Sequence, residues 1–128
     1  VIELSSEFFV ETRKRVEVID ITEEVEKRVG QGNACLIFVP HATAAVIINE
    51  YEPNIKSDYE KFFSRLANGE WMHNSIDDNA EAHLLSALIS PSLTVPTENG
   101  KLHLGTWQRI MLVELDGPRK RRVIVKMI

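Results

Sequence analysis

Hydrophobic residues recur along this chain with two periods, and the switches between them mark out its elements. Phe8-Phe9-Val10 is a short apolar run, and Val16, Val18 and Asp20 then alternate with Glu17, Ile19 and Ile21. Alternation with β-branched enrichment predicts two strands within residues 1–21. Ile21, Val25 and Val29 recur at helical spacing, and Asp20 followed by Glu23 matches a capping box. A helix is therefore expected here, stopping near Gly30 or Gly32. Residues 34–39 and 43–49 are continuous apolar runs, the pattern of strands covered on both faces.

The period then returns to helical. Pro53 opens a predicted helix whose stripe is Ile55, Tyr59, Phe62, Phe63 and Leu66, ended by Asn68-Gly69. Asp77 or Asp78 is expected to cap a third helix running to Ser90, stopped by Pro91. Leu93-Thr94-Val95 and Leu102-His103-Leu104 flank Asn99-Gly100, a strong hairpin signal. Residues 107–115 read as a long strand, Asp116-Gly117-Pro118 as a turn, and residues 123–128 as a closing strand. Hairpins outnumber crossovers. The class expected is α+β: a two-sheet, mainly antiparallel β-sandwich with two or three helices.

Composition narrows the function classes. At 128 residues, with 44% hydrophobic and 27% charged positions, the chain has the make-up of one folded domain and not of a disordered segment. Its uncharged runs are too short to cross a membrane, and no basic flank precedes an apolar stretch at the N-terminus, so the cytoplasm is the expected compartment. One cysteine, Cys35, excludes an internal disulfide and a multi-cysteine metal cluster; it reads as a small core hydrophobe. A formal net charge of −4 argues against a duplex nucleic-acid binder. The charge is uneven, however. Residues 50–83 are acidic, while residues 119–126 hold Arg119, Lys120, Arg121, Arg122 and Lys126 with no acid, so one segment attracts cations and the other anions.

Four histidines are present: His41, His73, His83 and His103. Imidazole is a common zinc ligand, and three ligands with an open position make a catalytic site, but no H-E-x-x-H spacing occurs here. Taken singly, each is more often a hydrogen-bonded structural residue. Glu50 ends the apolar face of Ala44, Val46 and Ile48, where a carboxylate needs a partner or a cation; a solvated strand end weighs equally. On a strand, Thr106 and Gln108 would share one face opposite a core Trp107, with Gly105 permitting close approach. Arg119 after Gly117-Pro118 can present a fork to phosphate or carboxylate, while a solvated charged strand end is the commoner reading of the whole 119–122 run.

Several motifs fall in a recognisable order. They are Pro40-His41-Ala42-Thr43-Ala44-Ala45 with Ile48-Asn49-Glu50, Trp71-Met72-His73, Asp78-Asn79-Ala80-Glu81-Ala82-His83, and Pro91-Ser92. Gly100, Leu104-Gly105-Thr106-Trp107-Gln108-Arg109-Ile110 and Asp116-Gly117-Pro118-Arg119 complete the set. Together they resemble the YjbQ family, also called the secondary thiamine-phosphate synthase family, over essentially the whole chain, 1–128, as one domain. The resemblance implies a compact two-sheet α+β fold, a homotrimer, and a site around three histidines that match His41, His73 and His83 as metal ligands. His103 matches none of them.

The activity implied is that of a metal-site enzyme joining a pyrimidine diphosphate to a thiazole phosphate with release of pyrophosphate. In that reading Glu50 is a general base or orients a histidine, and Thr43 acts beside it in the catalytic group. Ser92, Thr106, Gln108 and Arg119 bind the substrate's anionic oxygens. Zinc is the metal expected at the histidines, with magnesium accompanying the substrate as the alternative. A zinc-bound hydroxide fits instead a hydrolase of a small phosphorylated metabolite, which is the second reading. A non-enzymatic trimer that uses the histidines only to lock its subunits is the third reading. The partners expected are further copies of the chain and a small phosphorylated metabolite, with no nucleic acid and no membrane.

Overall fold

The structure, a computed structural model, describes residues 5–128. Residues 1–4, where the first strand was expected to begin and where the N-terminal flank was read, lie outside the described residues. The elements run β1 (Ser5–Glu11), β2 (Glu17–Asp20), α1 (Thr22–Glu26), β3 (Ala34–Phe38), β4 (Ala44–Asn49) and α2 (Pro53–Leu66). A 3-10 turn (Met72–Ser75) follows, then α3 (Ala80–Ile89), β5 (Ser92–Glu98), β6 (Lys101–Leu102), β7 (Arg109–Glu114) and β8 (Lys120–Met127). Five strands form one sheet in the order β1-β8-β3-β5-β6, and three form a second in the order β2-β7-β4. Every pairing is antiparallel, so the expected α+β sandwich is the fold.

The molecule has three layers. Between the sheets lie Phe8, Cys35, Ile37, Val39, Val95, Val123 and Val125 from the larger sheet's side and Ala44, Val46, Ile110 and Leu112 from the smaller, closed by Ile21 and Val25 at α1. The smaller sheet's other face packs Val18, Ala45, Met111 and Val113 against Tyr59 and Phe63 of α2 and Ala82 and Leu85 of α3. The middle strands β4 and β7 are therefore covered on both faces, as a continuous apolar run requires. For β3 that expectation fails. It lies in an outer layer, so Cys35 and Ile37 point inward while Phe38 stands exposed on the outside. Helix α3 runs beside β4 and covers its edge: Ser86 Oγ donates to the Ala44 carbonyl at 2.7 Å, and the Val46 N–H donates to the Ser90 carbonyl.

Three helix boundaries differ from expectation, each for a local reason. Asp20 does not cap α1, because its carboxylate accepts from the N–H and hydroxyl of Thr22 and from Arg109, leaving Ile21 at the cap position. The helix ends at Glu26, short of Gly30. Pro53 opens α2 as expected, with the Glu52 carboxylate accepting from the N–H groups of Asn54 and Ile55. Helix α3 begins at Ala80 and not behind Asp77 or Asp78, since the preceding 3-10 turn folds back and Asn74 Oδ1 accepts the Ala80 N–H.

The Asn99-Gly100 hairpin forms with both residues at positive φ, 54° and 76°, the geometry of a type I′ turn. Two strand ends were misjudged. Residues 105–108 form a tight turn ahead of β7, in which Gln108 Oε1 accepts the Gly105 N–H and Trp107 is 73% exposed instead of buried. Strand β8 starts at Lys120, not Val123, and its inward face reads Arg121, Val123, Val125, Met127.

Candidate functional site

One end of the sandwich gathers most of the chemistry. Three connections meet there: residues 12–16 between β1 and β2, 40–43 between β3 and β4, and 115–119 between β7 and β8. Beneath them lies an ion pair between the sheets. Arg121 of β8 is 2% exposed, and its Nε donates to Glu114 Oε1 of β7 at 2.9 Å. Arg121 Nη2 also donates to the carbonyl and the hydroxyl of Thr43, at 2.9 and 2.8 Å. Thr12 Oγ1 donates to Glu114 Oε1 at 2.7 Å, and Glu114 Oε2 accepts the Asp116 N–H. Glu114 is fully buried, and among the described residues no buried side-chain nitrogen or oxygen lacks a partner. The pair therefore pins all three connections at once.

Above it runs a polar chain of contacts. Arg119, exposed, donates through Nη2 to Asp116 Oδ2 at 3.0 Å and through Nε to the Asp116 carbonyl. Asp116 Oδ2 also accepts from Asn79 Nδ2 at 2.9 Å. Asn79 is buried, and its Oδ1 lies 2.9 Å from His73 Nε2. The His73 ring meets that of His83 edge-on, with centroids 4.9 Å apart. Two elements position these rings: the 3-10 turn, where the Ile76 and Asp77 N–H groups both donate to the His73 carbonyl, and the first turns of α3.

His41 stands on the β3–β4 connection, where its Nε2 accepts the backbone N–H of Arg122 at 2.9 Å. Burial lowers its pKa from the ordinary 6.5, and the nearby positive charges of Arg121, Arg119 and Arg122 lower it further against a smaller opposing pull from Glu114. The imidazole is thus held neutral, with its lone pair on Nε2 and its hydrogen on Nδ1.

The residues expected to form one site divide between two ends of the molecule. His41, Thr43, His73, His83, Ser92 and Arg119 belong to the end just described; Ser92 pairs with Phe38 at the start of β5. Glu50, Thr106 and Gln108 are exposed at the other end, separated by the length of β4 and β7, roughly 20 Å. Thr106 and Gln108 lie in the turn, so the shared strand face does not exist, and Gln108 spends its amide oxygen on Gly105. Among the described residues Glu50 makes no hydrogen bond to a histidine; its carbonyl accepts from Tyr59. Thr43 is buried beneath Arg121.

As placed, the three histidines do not fit a single metal ion. His41 has its lone pair engaged by Arg122, and among the described residues no three His, Cys, Asp or Glu side chains are gathered closely enough to hold one.

The 119–122 run is not a uniform solvated strand end: Arg121 is core, and Arg122 pairs with Glu7. Sequence reasoning missed Glu114, Arg121 and Asn79. The argument applied to Glu50, that a carboxylate ending an apolar face needs a partner, holds for Glu114, which continues the face of Ile110 and Leu112. Arg121 was detectable as the first member of an alternating inward series.

A two-sheet antiparallel sandwich with helices on one face and a histidine–arginine–carboxylate cluster at one end defines the class. The family model for YjbQ-like UPF0047 proteins matches residues 6–128, and the chain belongs to that family. It is 47% identical over 123 residues to a UPF0047 protein of Archaeoglobus fulgidus, covering 94% of this chain and 98% of that one. It is 40% identical over 127 residues to the UPF0047 protein YugU of Bacillus subtilis, covering 93% and 95%. Among solved structures, a hypothetical protein of Aeropyrum pernix K1 superimposes with a TM-score of 0.91 at 42% identity, over 97% of each chain. An uncharacterised YjbQ/UPF0047 protein of Clostridium acetobutylicum gives 0.89 at 36% identity, over 96% of this chain and 99% of that one.

Proposed function

We propose that this chain is an enzyme acting on a small phosphorylated metabolite at the end of the sandwich that carries His41, His73, His83, Asp116 and Arg119. The observation that supports this most directly is the run Arg119–Asp116–Asn79–His73–His83. It links an exposed guanidinium, able to receive an anion, through hydrogen bonds to His73, whose ring meets that of His83 edge-on. The buried Glu114–Arg121 pair beneath it supports a preorganised site, because it fixes the connections that carry His41, Asp116 and Arg119.

The activity we assign first is that of a thiamine-phosphate synthase, in which a pyrimidine diphosphate and a thiazole phosphate are joined and pyrophosphate leaves. Both substrates are anionic. A pyrophosphate-release assay with both precursors tests it: release that is lost in Arg119→Ala and His73→Ala supports the reading, and none from folded wild-type protein rejects it. Hydrolysis of a phosphorylated metabolite at the same site is the alternative, favoured by the paired imidazoles; inorganic phosphate released without an acceptor substrate would select it. Elemental analysis of protein purified without added metal tests zinc. We place the protein in the cytoplasm, consistent with the free, buried thiol of Cys35.

We further propose a homotrimer whose site is completed between copies. Glu50, Thr106 and Gln108 lie about 20 Å from the histidines of their own chain, and exposed Trp107 stands with them. Apposing one end of a copy to the other end of the next is a heterologous contact, which closes into a ring when its rotation is a whole fraction of a turn. Light scattering that returned a monomer mass at micromolar concentration would reject this, leaving a site confined to one chain. A trimer inactive in every assay would leave the non-enzymatic reading.

A further inference from the structure

Asn79 is the least expected member of the site, and its chemistry is the most constrained. Its amide has one end that only donates and one that only accepts. The Asp116 carboxylate lies 2.9 Å from one end and also receives Arg119, so it is an ionised acceptor. The Asn79 NH2 must therefore face Asp116, because the flipped amide would set oxygen against oxygen. This leaves Asn79 Oδ1 toward His73 Nε2, 2.9 Å away. An amide oxygen cannot donate, so the hydrogen in that contact belongs to His73 Nε2. The neutral ring then carries its lone pair on Nδ1. That atom has no hydrogen-bonding partner among the described residues, and since no buried side-chain nitrogen there lacks one, Nδ1 is not fully buried.

We infer that Asn79 is a positioning residue: oriented by Asp116, it holds His73 with hydrogen on Nε2 and presents Nδ1 as a proton acceptor to a bound molecule. His41 is held the other way round, with Nε2 as acceptor and hydrogen on Nδ1. Two imidazoles at one end of the sandwich are thus fixed in opposite tautomers by different devices, a backbone N–H for one and a side-chain amide for the other. The molecule that suits this arrangement carries an anionic group for Arg119 and an N–H or O–H for His73 Nδ1. On transfer, that proton bonds to Nδ1, the electron pair stays on the molecule, and the resulting imidazolium keeps its Nε2–H on Asn79 Oδ1. The role as acceptor rests on the enzymatic reading above; the tautomer does not.

The test is the site of alkylation on His73 by iodoacetate in the full, unliganded chain, resolved by mass spectrometry against the two carboxymethyl-histidine standards. Wild-type protein should be modified on Nδ1 over Nε2 by about tenfold or more, since Nε2 has no lone pair while it donates to Asn79. Asn79→Ala should bring the ratio within about threefold of parity. Asp116→Asn should do the same, because an amide at 116 no longer forbids the Asn79 flip; this variant decides the matter if Asn79→Ala does not fold. Nitrogen NMR adds a second readout, with the imidazole N–H proton of His73 correlated to Nε2 in wild type and lost to exchange in Asn79→Ala. Predominant Nε2 alkylation in wild type, or an unchanged ratio in the folded variants, overturns the proposal. Because no substrate is used, a failure here is separate from a failure of the pyrophosphate assay.

Discussion

Arg121 and Glu114 join the two sheets of the sandwich through its interior, the guanidinium reaching from β8 to the carboxylate of β7 with Nε 2.9 Å from Oε1. A buried ion pair is weak evidence for stability, since desolvation offsets most of its attraction. What distinguishes this one is the number of other groups it satisfies. Thr43 receives two bonds from Arg121, while Thr12 and the Asp116 N–H converge on Glu114. The pair therefore acts as an anchor for the connections that carry His41, Asp116 and Arg119.

Removing one partner should cost far more than removing both. Arg121→Met strands a fully buried carboxylate, and the expected loss is about 3–5 kcal/mol of unfolding free energy. The double variant Arg121→Met, Glu114→Leu should recover a large part of that loss. Urea unfolding monitored by Trp fluorescence measures both. Equal destabilisation by the single and double variants would show that the pair is not energetically coupled.

Gly117 marks a second point of close approach. A Cβ there would lie 2.4 Å from the Lys14 carbonyl oxygen and 2.8 Å from Glu114 Cγ, and backbone cannot give way as a flexible side chain can. Gly117→Ala should destabilise by roughly 1–3 kcal/mol, the scale of overpacking. Gly100→Ala meets nothing within 4 Å and bears only the strain of its positive φ of 76°, so its cost should be about 1–2 kcal/mol. Thermal unfolding of the pair with and without added phosphate also shows whether phosphate binding falls with Gly117→Ala alone, as expected if this turn carries Asp116 and Arg119 into place.

The pH dependence of stability should carry a contribution from His41. Its folded-state pKa is lowered, first by burial and then by Arg121, so below the ordinary value of 6.5 the unfolded chain takes up the proton more readily than the folded one. The contribution is complete above about pH 6.5 and is lost as pH falls through the lower, folded pKa. Glu60 acts in a separate window. Burial alone would raise its pKa, but Lys14, Lys56 and the Val18 N–H outweigh it and the net shift is downward, so its effect begins only below about pH 4.5. His41→Gln keeps an acceptor for the Arg122 N–H and should flatten the stability profile in the interval just below about pH 6.5. An unchanged slope in that interval would show that His41 is not the titrating group.

How far the sequence discloses this molecule depends on the range of the interaction involved. The closing strand from Val123 onward and the Asn99-Gly100 turn are local signals and were legible. So was the α2 start at Pro53, though not the side chain that caps it. Coverage of a strand's second face is not local: the runs in β3 and β4 look alike, and only the layering leaves Phe38 outside while Ala45 is buried under α3. The site shows the same division. The ordered motifs bring out His73, His83 and Arg119, and the turn at Asp116-Gly117-Pro118 was legible, but not that it carries β7 and β8 into different sheets with Glu114 and Arg121 face to face. The partnership of Asn79 with Asp116, 37 residues apart, is equally invisible.

Arg119 provides the sharpest test of an anion site, because the structure supplies both a competitor and a control. The guanidinium is held by Asp116 through its side-chain oxygen and its carbonyl, so an incoming phosphate must share Arg119 with a carboxylate. Arg119→Lys forfeits the two-pronged geometry and should weaken phosphate or pyrophosphate binding by roughly 1.5–3 kcal/mol, the scale of a charge-assisted bond. Arg121 is buried in the anchor and cannot serve as the neutral comparison; Arg122, exposed and paired with Glu7, can, and Arg122→Lys should change affinity by less than about 0.5 kcal/mol. Asp116→Asn should act in the opposite direction to Arg119→Lys. It removes a negative charge beside the incoming anion and frees the fork, so affinity should rise by roughly fourfold or more, and most at low salt. Calorimetric titration of the four proteins with pyrophosphate separates the cases. If Arg119→Lys and Arg122→Lys bind alike and Asp116→Asn does not bind more tightly, Arg119 is only the surface partner of Asp116, and the anion is received elsewhere.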